Sequence, residues 1–193
     1  TTYAHYPQLA DLFDFPGASF SAHGRELLGS LQENYPEAAE ELHCFLNGIP
    51  EKTLDLQELY TRTFDVQAIT TLDIGYVLFG DDYKRAELLS NLSREHKQVA
   101  NDCASELADH LPNLLRLISK LKDQELISEL VGEILVPALM LMTREFDSER
   151  IEQKNASYQN QYKTLIVAAP GEELTVYCRA LKSLLQVLRE DFQ

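Results

Sequence analysis

Two short segments concentrate the side chains that could do chemistry. The first reads Leu59-Tyr60-Thr61-Arg62-Thr63-Phe64-Asp65 and, after an apolar stretch over 72–78, continues as Gly80-Asp81-Asp82-Tyr83-Lys84-Arg85. The second is Glu106-Leu107-Ala108-Asp109-His110-Leu111-Pro112. Carboxylates at this density can hold guanidinium or ammonium groups through charge-assisted hydrogen bonds, and an imidazole among them adds a group that changes charge near neutral pH. Each segment also has a purely structural reading. Asp81 or Asp82 can cap the helix that carries Arg85 and Leu88, worth about 1 kcal/mol, and Asp109 can cap a helix with Pro112 in its first turn. Spacing alone leaves capping and binding both open.

Catalytic chemistry has less support. The chain has no glycine loop followed by Lys to cradle a phosphate and no His-Glu-x-x-His zinc motif. His5, His23, His43, His96 and His110 lack metal-ligand spacing and read as surface or packed side chains. A triad assembled from distant residues stays open, though nothing points to one. Cys44, Cys103 and Cys178 are odd in number, widely spaced and set in helical-looking apolar patterns, which reads as buried free thiols in a reducing compartment. The expectation is a protein with no metal or cofactor of its own.

The elements that must position these residues are helices. Leu88, Leu92, His96, Val99 and Cys103 recur at helical spacing, and so do Leu174, Tyr177, Leu181, Leu184, Leu188 and Phe192. The second stripe predicts a helix of about five turns with Glu172 and Glu173 in its first turn, where acids suit the positive helix end. Leu126, Leu130, Ile134, Leu141 and Phe146 mark a further long helix, kinked at Pro137 because proline removes a backbone donor and clashes with the turn before it. Earlier helices are expected over 9–13, 22–33, 37–46 and 54–64, punctuated by Pro16-Gly17, Tyr35-Pro36 and Gly48-Ile49-Pro50. The polar stretch 149–163 is a loop or a solvated helix, and the short apolar run 165–169 is left unassigned. With no alternating strand pattern, the fold class is all-α: an irregular single-domain bundle of about eight to ten helices over residues 1–193.

Composition narrows the partners. Against 17 basic residues stand 31 acidic ones, a formal net charge of −14, which argues against a nucleic-acid binder and suits a basic partner as well as it suits simple solubility. At 193 residues with 45% hydrophobic and 25% charged content, the chain can bury a substantial core. No uninterrupted uncharged run approaches a membrane span, and the first twelve residues lack the pattern of a secretory signal, so a cytoplasmic location is expected.

Taken together, the acid-rich segments resemble the nitrate reductase delta-subunit family, whose NarJ, TorD and DmsD branches are chaperones for individual molybdopterin enzymes. Residues 60–65, the Gly80-Asp81-Asp82-Tyr83-Lys84-Arg85 run and Leu88-Leu89 are similar to the NarJ branch in order and spacing. Glu106, Asp109, His110, Leu111 and Pro112 resemble that branch's Glu-Leu-Pro-Asp-aromatic-Leu-Pro link, although Ala108 stands where it usually has Pro and Leu107 where the TorD branch has Pro. The N-terminal stretch 9–16 resembles the family's opening helix. The match spans residues 9 to about 118.

The resemblance implies an all-helical protein without catalysis of its own. Its partner would be the apo catalytic subunit of a molybdopterin oxidoreductase, bound through an N-terminal leader that is often twin-arginine or a remnant of it, while cofactor is inserted and the enzyme is assembled or exported. Molybdenum cofactor delivery proteins are further implied partners, and the state would be monomer or homodimer. By the same resemblance, Tyr60, Asp65, Asp81, Asp82, Arg85, Glu106, Asp109 and His110 belong near the peptide groove. The competing reading is a structural adaptor retained in a mature redox complex; a nucleotide hydrolase ranks third, for want of a phosphate loop.

Overall fold

The computed structural model describes residues 3–162 and 173–192. Among these the chain forms ten α-helices and no strand. They are α1 (Tyr6–Asp11), α2 (Phe20–Leu31), α3 (Pro36–Gly48), α4 (Thr53–Phe64), α5 (Ile74–Phe79), α6 (Tyr83–Gln98), α7 (Leu111–Lys120), α8 (Gln124–Arg144), α9 (Ser148–Tyr162) and α10 (Tyr177–Asp191). Proline sits in the first turn of α1, α3 and α7, where its missing N–H is no loss and its fixed φ suits the helix.

The core forms around α10, whose Ala180, Leu181, Leu184, Val187 and Leu188 pack against α3 and the second half of α8. Phe45, Tyr60, Phe64 and Tyr177 fill its centre with tilted and edge-on rings. α1 lies along α7, seven of whose ten residues are buried. Both ends of the described chain are tied together at Asp191. Its carboxylate meets His5 Nε2 at 3.1 Å and accepts from the hydroxyls of Tyr6 and Tyr35 at 2.9 and 2.7 Å.

The all-helical expectation holds, with several corrections. Leu92 and His96 do form the buried stripe of α6, but the helix ends at Gln98 and Cys103 lies beyond it. α8 runs on through Pro137 as the expected long helix. Because the proline lacks an amide hydrogen and crowds the carbonyl four residues back, the turn before it widens into a π-helical segment, Leu130–Leu135, in which the Val136 N–H reaches the Val131 carbonyl. The C-terminal helix has 15 residues rather than five turns, since a 3₁₀ turn, Glu173–Thr175, precedes it; no acid lies in its first turn. Glu172 and the run 165–169 lie outside the described residues. The polar stretch after Asp147 is a helix, α9, with no buried residue.

The cysteines are free, as expected, but not buried: Cys44 is exposed and Cys103 and Cys178 are half-buried. One helix, α8, is long and apolar enough to cross a membrane by length and composition, which corrects the expectation that no stretch reaches that size. Glu129 and Glu133 interrupt the uncharged run without reversing the apolar character of the helix. Ile127, Leu130, Val131, Leu135, Ala138, Leu139 and Met142 build the inner face of α8 into the core.

Candidate functional site

The two acid-rich segments meet. α4 ends at Phe64 with Asp65 in the C-cap position, a loop leads to α5, and Gly80 turns the chain at φ +58°, a conformation that suits glycine. Asp82 then caps α6, accepting from the Lys84 N–H at 2.9 Å, so of the two candidate caps the second is the one used. After α6 the chain doubles back through Ala100 and Ala104, both at positive φ. His96 holds this loop from below. Its Nε2 lies 2.9 Å from the Ala108 carbonyl and its Nδ1 3.0 Å from the Asn101 amide, the arrangement of a neutral ring donating from Nε2 and accepting at Nδ1. Burial lowers the His96 pKa, consistent with that neutral form. Asn101 and Asn113 complete the network on backbone carbonyls.

So held, segment 106–112 runs antiparallel to the start of α5. Asp73 and His110 form an isolated bridge, the Leu111 N–H donates to Leu72, and the Ile74 N–H donates to the Asp109 carbonyl. Asp109 was expected to cap the helix containing Pro112. The cap position there belongs to His110, which makes no side-chain cap bond. The Asp109 carboxylate instead caps α5 from across the chain, accepting from the Gly75 N–H at 3.0 Å and from Arg85 Nε at 3.0 Å while fully buried. A Cβ on Gly75 would stand 2.6 Å from that carboxylate oxygen, which explains the glycine. Arg85 also reaches Asp73 at 3.5 Å and lies 5.4 Å from the centroid of the Tyr76 ring.

Around this clamp lies an acidic rim. His110 Nδ1 is 3.1 Å from Asp73 and 4.0 Å from Glu106. The His110 hydrogen bond, working against burial and helped by Arg85, holds the Asp73 carboxyl below the ordinary range. Asp65 goes the other way: partial burial, with the charges of Glu106 and Asp73, raises its pKa against the opposing pull of His110. A raised carboxylate among other acids is a site that a cation would relieve.

Of the residues singled out in the sequence, Asp65, Arg85, Glu106, Asp109 and His110 therefore come together. Asp81 is exposed and bears on Arg85 only through its charge, and Asp82 serves α6 as a cap. Tyr60 and Asp109 are buried and have no surface for a ligand; Tyr60 donates to the Phe13 carbonyl at 2.8 Å and belongs to the core. Their role is to support. Asp73 was missed, although an Asp just before an apolar helical run is a legible signal.

Also missed was the groove beside the rim. Tyr76 and Val77 of α5 face Leu141 of α8, Glu145 just past its end, and Lys154 and Tyr158 of α9 across an open cavity of about 360 Å³. Tyr76 and Leu141 are 45% and 40% exposed, enough to offer an apolar wall to a ligand. Tyr76 links this wall to the clamp through Arg85. Among the described residues, no group of three His, Cys, Asp or Glu side chains could hold a metal ion. Set against protein-family models and curated proteins, the chain matches none of them.

Proposed function

We propose that this protein binds a basic, amphipathic segment of another protein, and that the segment is the N-terminal leader of a molybdopterin oxidoreductase catalytic subunit, held in the cytoplasm while the apo enzyme receives its cofactor. The observation that carries the first step is the adjacency, through the six residues of α5, of an apolar groove and an acidic rim in which the Asp65 carboxyl is raised by its neighbours. The second step rests on the resemblance of segments 60–65, 80–85 and 106–112 to the nitrate reductase delta-subunit family. On this reading the protein is a chaperone and not an enzyme.

The division of labour follows from magnitudes. Burying one Leu-sized side chain contributes about 1.5–3 kcal/mol, whereas an exposed ion pair contributes about 0.2–1 kcal/mol. Apolar side chains in the groove supply the affinity, and Asp65 and Glu106 steer and orient the cations. Calorimetry with a synthetic leader peptide from a candidate client tests the reading: binding should weaken with added salt without vanishing. Co-purification separates it from the adaptor reading, since a chaperone accompanies the apo client and is missing from the cofactor-loaded enzyme, while an adaptor stays at fixed stoichiometry.

A further inference from the structure

We infer that Lys154 is an internal occupant of the groove, standing where a cation of the bound segment goes, and that the ligand displaces it from Glu145. The inference rests on the peptide-binding reading above and concerns how that site is regulated. α9 buries none of its 15 residues, so burial in the core does not hold it. Two of its cations pair with one residue. Glu145 takes Arg150 on one carboxylate oxygen at 3.1 Å and Lys154 on the other at 2.8 Å. Lys154 also donates to the Ile69 carbonyl, and Ile151 packs partly on the core.

Among the described residues that line the groove, Glu145 is the one carboxylate, beside Tyr76 and Leu141. A cationic segment whose apolar side chains enter the groove needs an anion at that depth, and the anion is already neutralised from within. An arginine of the ligand has the advantage in the exchange, because its planar fork can take the oxygen that Lys154 leaves and share the one that Arg150 holds, while the lysine ammonium engages one. Two consequences follow. The resting protein lowers its own affinity for weakly basic segments, and binding loosens α9 by removing one of its anchors.

The probe is a labelled amphipathic helical peptide of about 15 residues, with leucines at i, i+3, i+4 and i+7 and two arginines on one edge. Removing the internal competitor with Lys154→Met keeps the apolar stem and should tighten binding by about two- to five-fold, the range of one exposed ion pair. Glu145→Gln should weaken it by a similar factor. Hydrogen exchange of wild-type protein should show α5 and α8 protected on binding while amides in 148–162 exchange faster. If Lys154→Met binds no tighter, or α9 becomes more protected, the exchange mechanism is wrong while the groove assignment stands. If the peptide leaves α5 and α8 unprotected in wild type, the groove assignment itself falls, and this inference with it.

Discussion

Asp109 and Asp65 come from neighbouring acid-rich segments, but the fold treats the two carboxylates in opposite ways. Asp109 is completely buried, with a guanidinium and a helix N–H on the same oxygen. Asp65 stands at the exposed end of α4, its pKa raised by partial burial and by Glu106 and Asp73. The first carboxylate stabilises the fold. Among like charges, the second keeps its charge at a cost that a cationic partner can offset. A buried, satisfied charge is thus a joint of the scaffold, and an exposed, crowded one is where a ligand gains.

That contrast can be broken most directly at the clamp. Asp109→Ala removes the buried carboxylate partner of Arg85 and leaves the Gly75 N–H without that acceptor, and it should cost about 3 kcal/mol in urea unfolding. A loss below about 1 kcal/mol would mean that the clamp contributes no more than an ordinary cap. Gly75→Ala should come next, at about 1–3 kcal/mol, because its Cβ would press on the Asp109 oxygen and on Leu88 and Arg85 side chains. Normal stability in that variant would show that the close approach relaxes freely.

Acid sharpens the comparison. Asp73 and Asp191 both have depressed pKa values. For Asp73 the main cause is the His110 hydrogen bond. For Asp191 burial raises the pKa, but hydrogen bonds from His5, Tyr35 and Tyr6 override it. A carboxylate depressed in the folded state contributes stability above its unfolded pKa and loses it as pH falls through the folded value, so this contribution disappears below about pH 4. Asp191→Asn should flatten that part of the stability profile measured by urea midpoint against pH; an unchanged acid limb would remove Asp191 from the account. Asp65 has the opposite sign. Its raised pKa favours folding as pH falls from above the folded value towards the ordinary carboxylate range, so Asp65→Asn should leave the melting temperature unchanged or slightly higher.

What was legible in the sequence follows from how local each interaction is. The Leu181, Leu184 and Leu188 stripe and the Leu92–His96 pair could be read because burial on one helix face leaves a 3.6-residue period. Asp82 could be read because its cap bond spans two residues. The target of Asp109 could not, since Gly75 and Arg85 lie 34 and 24 residues away and a nearer helix start offered a plausible substitute. The two acid-rich segments could be singled out from their composition, but which of their residues are buried and which are exposed is not encoded by spacing. The groove escaped for a related reason: its lining comes from the stretch 68–71, from α5, from the end of α8 and from α9, and no one segment carries its signature.

The measurement that bears most directly on the central claim is calorimetric titration of a client leader peptide into wild-type protein and the Asp65→Asn/Glu106→Gln variant at low and moderate salt, with thermal melts of both. The account predicts that the variant melts with the wild type, binds the peptide about three- to ten-fold more weakly and loses most of its salt dependence, as expected for two exposed charge pairs. A variant that binds and responds to salt like the wild type, or that loses affinity only in proportion to a lower melting temperature, would contradict the assignment of the rim as the cation-binding edge of the site.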